Sequence, residues 1–164
     1  MPEGPEVKLV QRKLSKLLKN NTLLDFKILS GRYKIHQYPK NYNLFKSSLP
    51  SKVINVFCKG KFIYMWFENK FHLWNTLGMT GTWSTKKTVH SRVLLKFKSF
   101  YLYFNDIRNF GTIKFTFNPK SIQDKLTLIG PDILQLDTNP EFLLSRLKKL
   151  NLKKLLQNYC LIKH

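Results

Sequence analysis

The chain has 164 residues, and Lys and Arg outnumber Asp and Glu by 29 to 9, a formal net charge of +20. That length suits one domain, or one domain and part of another, and a chain of this size buries roughly 70% of its unfolded surface. A hydrophobic share of 43%, with 13 Phe, 7 Tyr and 3 Trp, excludes a disordered basic tail, while the charge points to a polyanionic partner, nucleic acid ahead of a membrane surface. The two cysteines, Cys58 and Cys160, stand apart and no Cys/His cluster has ligand spacing, so neither a zinc site nor a disulfide framework is expected. No apolar run is long enough for a membrane span and the N-terminus lacks a signal core, which makes an intracellular location the expectation.

In chain order, the first feature is chemical. Pro2 follows the initiator, and removal of Met1 would leave a secondary amine at the chain end. An α-amino group titrates near ~8, so much of it is unprotonated at neutral pH and can attack a carbonyl or a sugar C1′. A secondary amine then gives a cationic iminium, and Glu3 sits beside it to move protons. Pro-Glu is equally an ordinary helix entry. Residues 5–19 read as a basic amphipathic helix, with Val7, Val10, Leu14, Leu17 and Leu18 at helical spacing.

Strand-like runs rich in Phe, Ile, Val, Tyr and Trp follow at residues 22–29, 52–57, 62–67, 71–77, 92–97, 101–104 and 112–117. Residues 62–67 are apolar on both faces, as in a central strand. The expected fold is α+β, mostly β: an N-terminal helix plus a two-layer antiparallel β-sandwich. Residues 31–50 read as a long polar loop. From residue 118 the character changes. Pro119, Gly130 and Pro131 mark residues 119–137 as a linker with at most one short helical turn. Residues 138–164 read as two basic helices with Pro140 in the first turn. The expected division is therefore 1–118, 119–137 and 138–164.

Three internal segments stand out. Lys59-Gly60-Lys61-Phe62 joins two predicted strands, where lysines are ordinarily solvated but also suit phosphate binding. Leu77-Gly78-Met79-Thr80-Gly81 implies a tight loop whose Met79 either fills core or enters the space of an extruded base. Asn105-Asp106-Ile107-Arg108-Asn109-Phe110-Gly111 reads as a turn with a capping Asp and a core Phe, or as a cation and an aromatic wedge.

Together these segments resemble the formamidopyrimidine-DNA glycosylase / endonuclease VIII family, and the resemblance runs collinearly along nearly the whole chain. Pro2-Glu3-Gly4-Pro5-Glu6-Val7 matches the family's Pro-Glu-x-Pro-Glu-Val start, and Gly60-Lys61-Phe62 its Gly-Lys-Tyr/Phe junction. The 77–81 segment matches Leu-Gly-Met-Ser/Thr-Gly, and 106–111 matches Asp-x-Arg-x-Phe-Gly. Gly31-Arg32 sits where relatives have Asn-Gly-Arg, and Leu128-Ile129-Gly130-Pro131-Asp132 resembles Leu-Gly-Pro-Glu/Asp. Thr76 replaces the histidine usual before the methionine motif.

The resemblance implies a base-excision repair enzyme, a DNA glycosylase and AP lyase acting on damaged double-stranded DNA as a monomer. It makes Pro2 the nucleophile, Glu3 the proton relay and Lys61 a catalytic lysine near the lesion phosphate or sugar. It also makes Met79, Arg108 and Phe110 the residues that hold the duplex open. Lys59 and Arg32 join them as DNA contacts. Relatives continue into a helix–two-turns–helix domain and usually a zinc finger. Here residues 138–164 resemble only the start of that helical domain, so no zinc is expected in this chain and activity is expected to be weakened. The alternatives are a non-catalytic basic DNA-binding protein of the same fold, a proline-based tautomerase, and a ribosomal-type protein. A tautomerase needs a βαβ unit after Pro2, where a basic helix is predicted. A ribosomal-type protein does not account for the ordered motifs.

Overall fold

Helix α1 (Gly4–Leu18) opens the structure, a computed structural model that describes residues 2–129. The Glu6 carboxylate accepts the backbone N–H of the N-cap residue Glu3 at 2.8 Å, satisfying a donor the helix leaves open. Val7, Leu14 and Leu18 point into the core, as their spacing predicts. The polar face stays exposed and partly anchors to the neighbouring strand, where Gln11 donates to the Val56 carbonyl at 2.6 Å.

Eight antiparallel strands follow: β1 (Thr22–Ile28), β2 (Ser51–Lys59), β3 (Phe62–Phe67), β4 (His72–Thr76), β5 (Thr82–Ser84), β6 (Ser91–Phe97), β7 (Tyr101–Asn105) and β8 (Thr112–Thr116). Their order is β5-β7-β6-β1-β2-β3-β4-β8. The β1–β2 ladder is short, pairing Thr22 with Lys52 and Leu23 with Ser51. It joins two four-stranded layers, β5-β7-β6-β1 and β2-β3-β4-β8, which close on a shared core. Phe26 of β1 meets Phe115 of β8 edge-on with ring centroids 5.0 Å apart. Trp83 of β5 donates its Nε1–H to Asn75 of β4 at 3.0 Å. The fold is thus α+β, mostly β, with an N-terminal helix and a two-layer antiparallel sandwich, as the sequence predicts.

Three segments differ from the sequence expectation. Residues 31–50 contain two short helices, α2 (Arg32–Ile35) and α3 (Tyr42–Ser47), rather than an open loop. They are too short for periodicity to register, yet α3 buries Tyr42 and Phe45 in the core, where Phe45 stacks on Phe115 at 4.3 Å. Strand β5 has three residues and no alternation to read. Residues 119–129, expected to be linker, form helix α4 (Pro119–Ile129). Pro119 belongs to its first turn, where a missing N–H costs nothing. None of its residues is fully buried, which is why its apolar pattern reads weakly. The expected helices at 138–164 lie outside the described residues. Among the described residues, no helix is long and apolar enough to cross a membrane.

Candidate active site

The turn between β2 and β3 brings a lysine to the start of α1. Gly60 takes a left-handed conformation, φ +54°, that lets Lys59 and Lys61 leave the hairpin tip side by side. The Lys61 Nζ lies 2.8 Å from Glu3 Oε2. This ion pair joins residues 58 positions apart, and both side chains remain solvent-exposed. Lys61 holds the Glu3 carboxyl below its usual value, first by its hydrogen bond and then by its charge. Beside the pair is a cavity of about 390 Å³ lined by Pro2, Lys59, Lys61, Gly78, Lys125 and Ile129, among others. Pro2 and Lys61 therefore share one concavity, and Glu3 is joined to it through its pair with Lys61.

Lys59 lines the same cavity, but its Nζ donates to the Leu126 carbonyl of α4 at 2.8 Å. It ties α4 to the hairpin, so its ammonium is not a free surface charge. Lys125, from the segment read as linker, is a cation beside Pro2 that sequence reasoning did not single out. Its Nζ sits 5.9 Å from the centroid of the Phe62 ring.

The two motif loops meet next to this cavity. Gly78 has φ +64°, and a Cβ there would fall 2.6 Å from the Gly111 nitrogen and 2.7 Å from the Phe110 carbonyl carbon. The loops are in direct contact, which only glycine permits. Asp106, 1% exposed, clasps them. Its carboxylate accepts the Thr80 hydroxyl from one loop and the Gly111 N–H, at 2.7 Å, from the other. Thr80 in turn accepts the Arg108 N–H at 3.0 Å. Met79 and Phe110 remain 39% and 50% exposed, against the core roles their residue types would also fit. The Arg108 guanidinium lies over the Phe110 ring, 4.9 Å from its centroid.

Arg32 stands behind this pair of loops. It donates to the Gly111 carbonyl at 2.7 Å and to the Tyr33 hydroxyl at 3.1 Å. Arg92 braces the other side, donating to the carbonyls of Asp106 at 2.7 Å and Ile107 at 3.1 Å. Arg92 and Thr80 were not legible as site residues, since the bonds of Arg92 to backbone carbonyls and of Thr80 to a carboxylate and an N–H across the fold leave no local pattern. The arrangement offers a nucleophile position and a carboxylate–ammonium pair at one concavity, flanked by an exposed methionine, arginine and phenylalanine on braced loops.

The family model described as the formamidopyrimidine-DNA glycosylase N-terminal domain matches residues 1–113. The chain belongs to this family. Formamidopyrimidine-DNA glycosylase from Thermus thermophilus is 33% identical over 113 residues, covering 69% of this chain and 39% of that protein. The Bacillus cereus enzyme of the same name is 30% identical over 162 residues, covering 93% and 57%. This formamidopyrimidine-DNA glycosylase family chain thus spans about half the length of the curated relatives it matches. A crystal structure of the Lactococcus lactis formamidopyrimidine-DNA glycosylase, non-covalently bound to DNA containing an AP site, superimposes with a TM-score of 0.67. It shares 21% identity and covers 77% of this chain and 49% of that one, a likeness that shows a common fold. The family match takes in the Pro2-Glu3 start, the Lys61 turn and both motif loops.

Proposed function

We propose that this chain carries the reaction centre of a base-excision repair DNA glycosylase and AP lyase that acts on oxidised bases in double-stranded DNA, inside the cell wherever that DNA lies. The observation that carries this reading is the Glu3–Lys61 pair at 2.8 Å beside the cavity lined by Pro2. After Met1 removal, the unprotonated Pro2 nitrogen attacks C1′ of the damaged nucleotide. The bond from C1′ to the base breaks, and the base leaves with that electron pair and takes up a proton. Glu3 delivers a proton to the sugar ring oxygen as the ring opens, leaving an iminium between Pro2 and C1′. The iminium draws electrons from C2′, which loses a proton, and the C3′–O bond breaks to release a phosphate-ended strand. Water then hydrolyses the iminium and restores the amine. Lys61 orients the backbone at the reacting sugar. Flipping a nucleotide costs a few kcal/mol, which the exposed Met79, Arg108 and Phe110 offset by entering the vacated space.

The net charge of +20 also suits a second reading, a basic DNA-binding protein that keeps the fold without turnover, which holds if Met1 stays attached and blocks the Pro2 nitrogen. One experiment separates the two. Borohydride trapping on a duplex with a single abasic site, at low salt, is expected to give a covalent complex whose adduct maps to the N-terminal peptide. Substituting Pro2→Gly is expected to abolish or sharply reduce it. An adduct on a lysine would move the nucleophile away from Pro2. No adduct, with Met1 shown to be removed and DNA bound, would leave the non-catalytic reading.

A further inference from the structure

The outer face of the β2-β3-β4-β8 layer carries a second feature, apart from the reaction cavity. The strand registers align Phe57, Tyr64, Trp74 and Lys114 in one row across four strands. Trp66 and His72 pair in the next row. The Phe57 and Tyr64 rings are near parallel with centroids 5.2 Å apart, and Trp66 and His72 lie near parallel at 5.6 Å. Lys114 Nζ sits 4.5 Å from the Trp74 centroid. Such a platform is unusual on an outward sheet face, where polar residues ordinarily alternate with core ones. Trp66 is 44% exposed.

A cavity of about 650 Å³ opens on this platform, with Tyr64, Trp66, His72 and Lys70 on the sheet side and Ile122 of α4 opposite. His72 is only 6% exposed, yet its Nδ1 has no hydrogen-bond partner. Burial lowers its pKa, opposed by the backbone of Thr116, its partner across the β4–β8 ladder. The ring is therefore neutral at neutral pH, with Nδ1 left to accept a hydrogen bond. A buried polar atom without a partner is costly in a finished core, and a ligand that donates to it would remove that cost. Strand β3 and helix α4 line both cavities: Phe62, Lys125 and Ile129 the first, Tyr64, Trp66 and Ile122 the second.

We propose that this face is a binding site for single-stranded nucleic acid, with one unpaired base stacked against Trp66 and its N–H edge turned to His72. Aromatic faces bind bases of any sequence by stacking, and cations at the rim take the phosphates. Lys70 and Lys114 supply the rim on a chain of net charge +20, which suits a polyanion over a neutral apolar partner. A duplex keeps its base faces covered, so the occupant is an unpaired strand.

The test is fluorescence anisotropy of the full chain at low salt with two labelled decamers, one of deoxyadenosine and one with the same backbone and no bases. The base-bearing strand is expected to bind at least about tenfold more tightly. Trp66→Leu is expected to remove that difference while leaving the baseless strand and abasic-duplex trapping unchanged. Equal affinity of the two strands for the native chain would overturn the site. Discrimination that survives in Trp66→Leu would do the same. Indole fluorescence of the native chain, which needs no variant, is expected to be quenched by the base-bearing strand alone. Equal quenching by both strands would overturn the proposal. Full displacement of the strand by millimolar adenosine monophosphate would make this a mononucleotide site and overturn the strand assignment. Discrimination without any trapping, with Met1 shown to be removed, would refute the lyase reading and leave this one standing.

Discussion

Two corners of the site are built in opposite ways. At the Glu3–Lys61 corner, charged groups meet in solvent, with Glu3 held at the start of α1 by the Glu6 carboxylate. At the loop clasp, Asp106 is fully buried and its carboxylate bridges two loops, with Arg32 and Arg92 bracing the backbone from behind. The difference follows from the tasks proposed for each. A nucleophile and a proton relay have to stay accessible and titratable, and an exposed pair does that at little structural cost. Side chains that enter a base stack have to resist being pushed back, and a buried carboxylate bonded to both loops supplies that stiffness. The corner is therefore expected to matter for chemistry and not for folding, and the clasp for both.

Breaking the clasp gives the largest expected effect on stability. Asp106→Ala leaves the buried Gly111 N–H and the Thr80 hydroxyl unpaired, and about 3 kcal/mol of unfolding free energy should be lost in urea titration. Gly78→Ala comes next. It forces an L side chain to φ +64° and drives a Cβ against the Gly111 and Phe110 backbone, at a cost of about 2 kcal/mol by the same titration. Both variants should also weaken binding to abasic duplex, since the loops carrying Met79, Arg108 and Phe110 are displaced. A stable Asp106→Ala chain would show that the loops are held by other contacts.

Much of this was legible in the residues, but unevenly. Seven strands and α1 announce themselves because runs such as 62–67 must bury apolar surface at a fixed period. Strand β5 and helices α2 and α3 are too short to repeat a period, and only tertiary contacts such as Phe45 on Phe115 decide them. Helix α4 was hidden because it buries no residue fully and begins at a proline that also marks loops. For the candidate site, Pro2, Glu3 and Lys61 are singled out by chemistry and motif, but their meeting depends on β2 and β3 carrying the turn back to α1. Arg32 and Lys59 show the reverse. Their charge reads as surface, whereas each donates to a backbone carbonyl 79 and 67 residues away. Nothing local encodes such a bond.

A pH-dependent effect of intermediate size is expected away from both corners, at His72. The unfolded chain takes up a proton at this position near 6.5, while burial lowers the folded value. Between those two values the unfolded state binds more protons, so stability is fully present above about 6.5 and falls as pH drops through the window. Tyr64 in the same cavity is pushed up by burial and stays neutral there, and Lys70 is the nearby cation. Melting temperatures from pH 5 to 8 should decline on the acid side in the native chain, with a shallower decline in His72→Gln. An identical decline in both would place the acid sensitivity elsewhere.

The smallest expected effect on folding is at Lys61, and it is the sharpest test of the contrast. Glu3 is held below its usual value of 4.5 by Lys61, so the pair stabilises the fold above that pH and is lost as pH falls through the lower folded value. Both side chains are exposed, so water and salt screen the attraction, and Lys61→Met should leave the melting temperature at pH 7 unchanged. The chemistry should respond quite differently. Trapping on abasic duplex should fall by at least about tenfold, because the ammonium that orients the DNA backbone at the reacting sugar is removed. The limb of its pH profile that Glu3 governs should move to higher pH, because Glu3 without Lys61 holds its proton to a higher pH. A variant that melts lower but traps normally would make the pair a structural latch on α1, and the two corners would then differ only in burial.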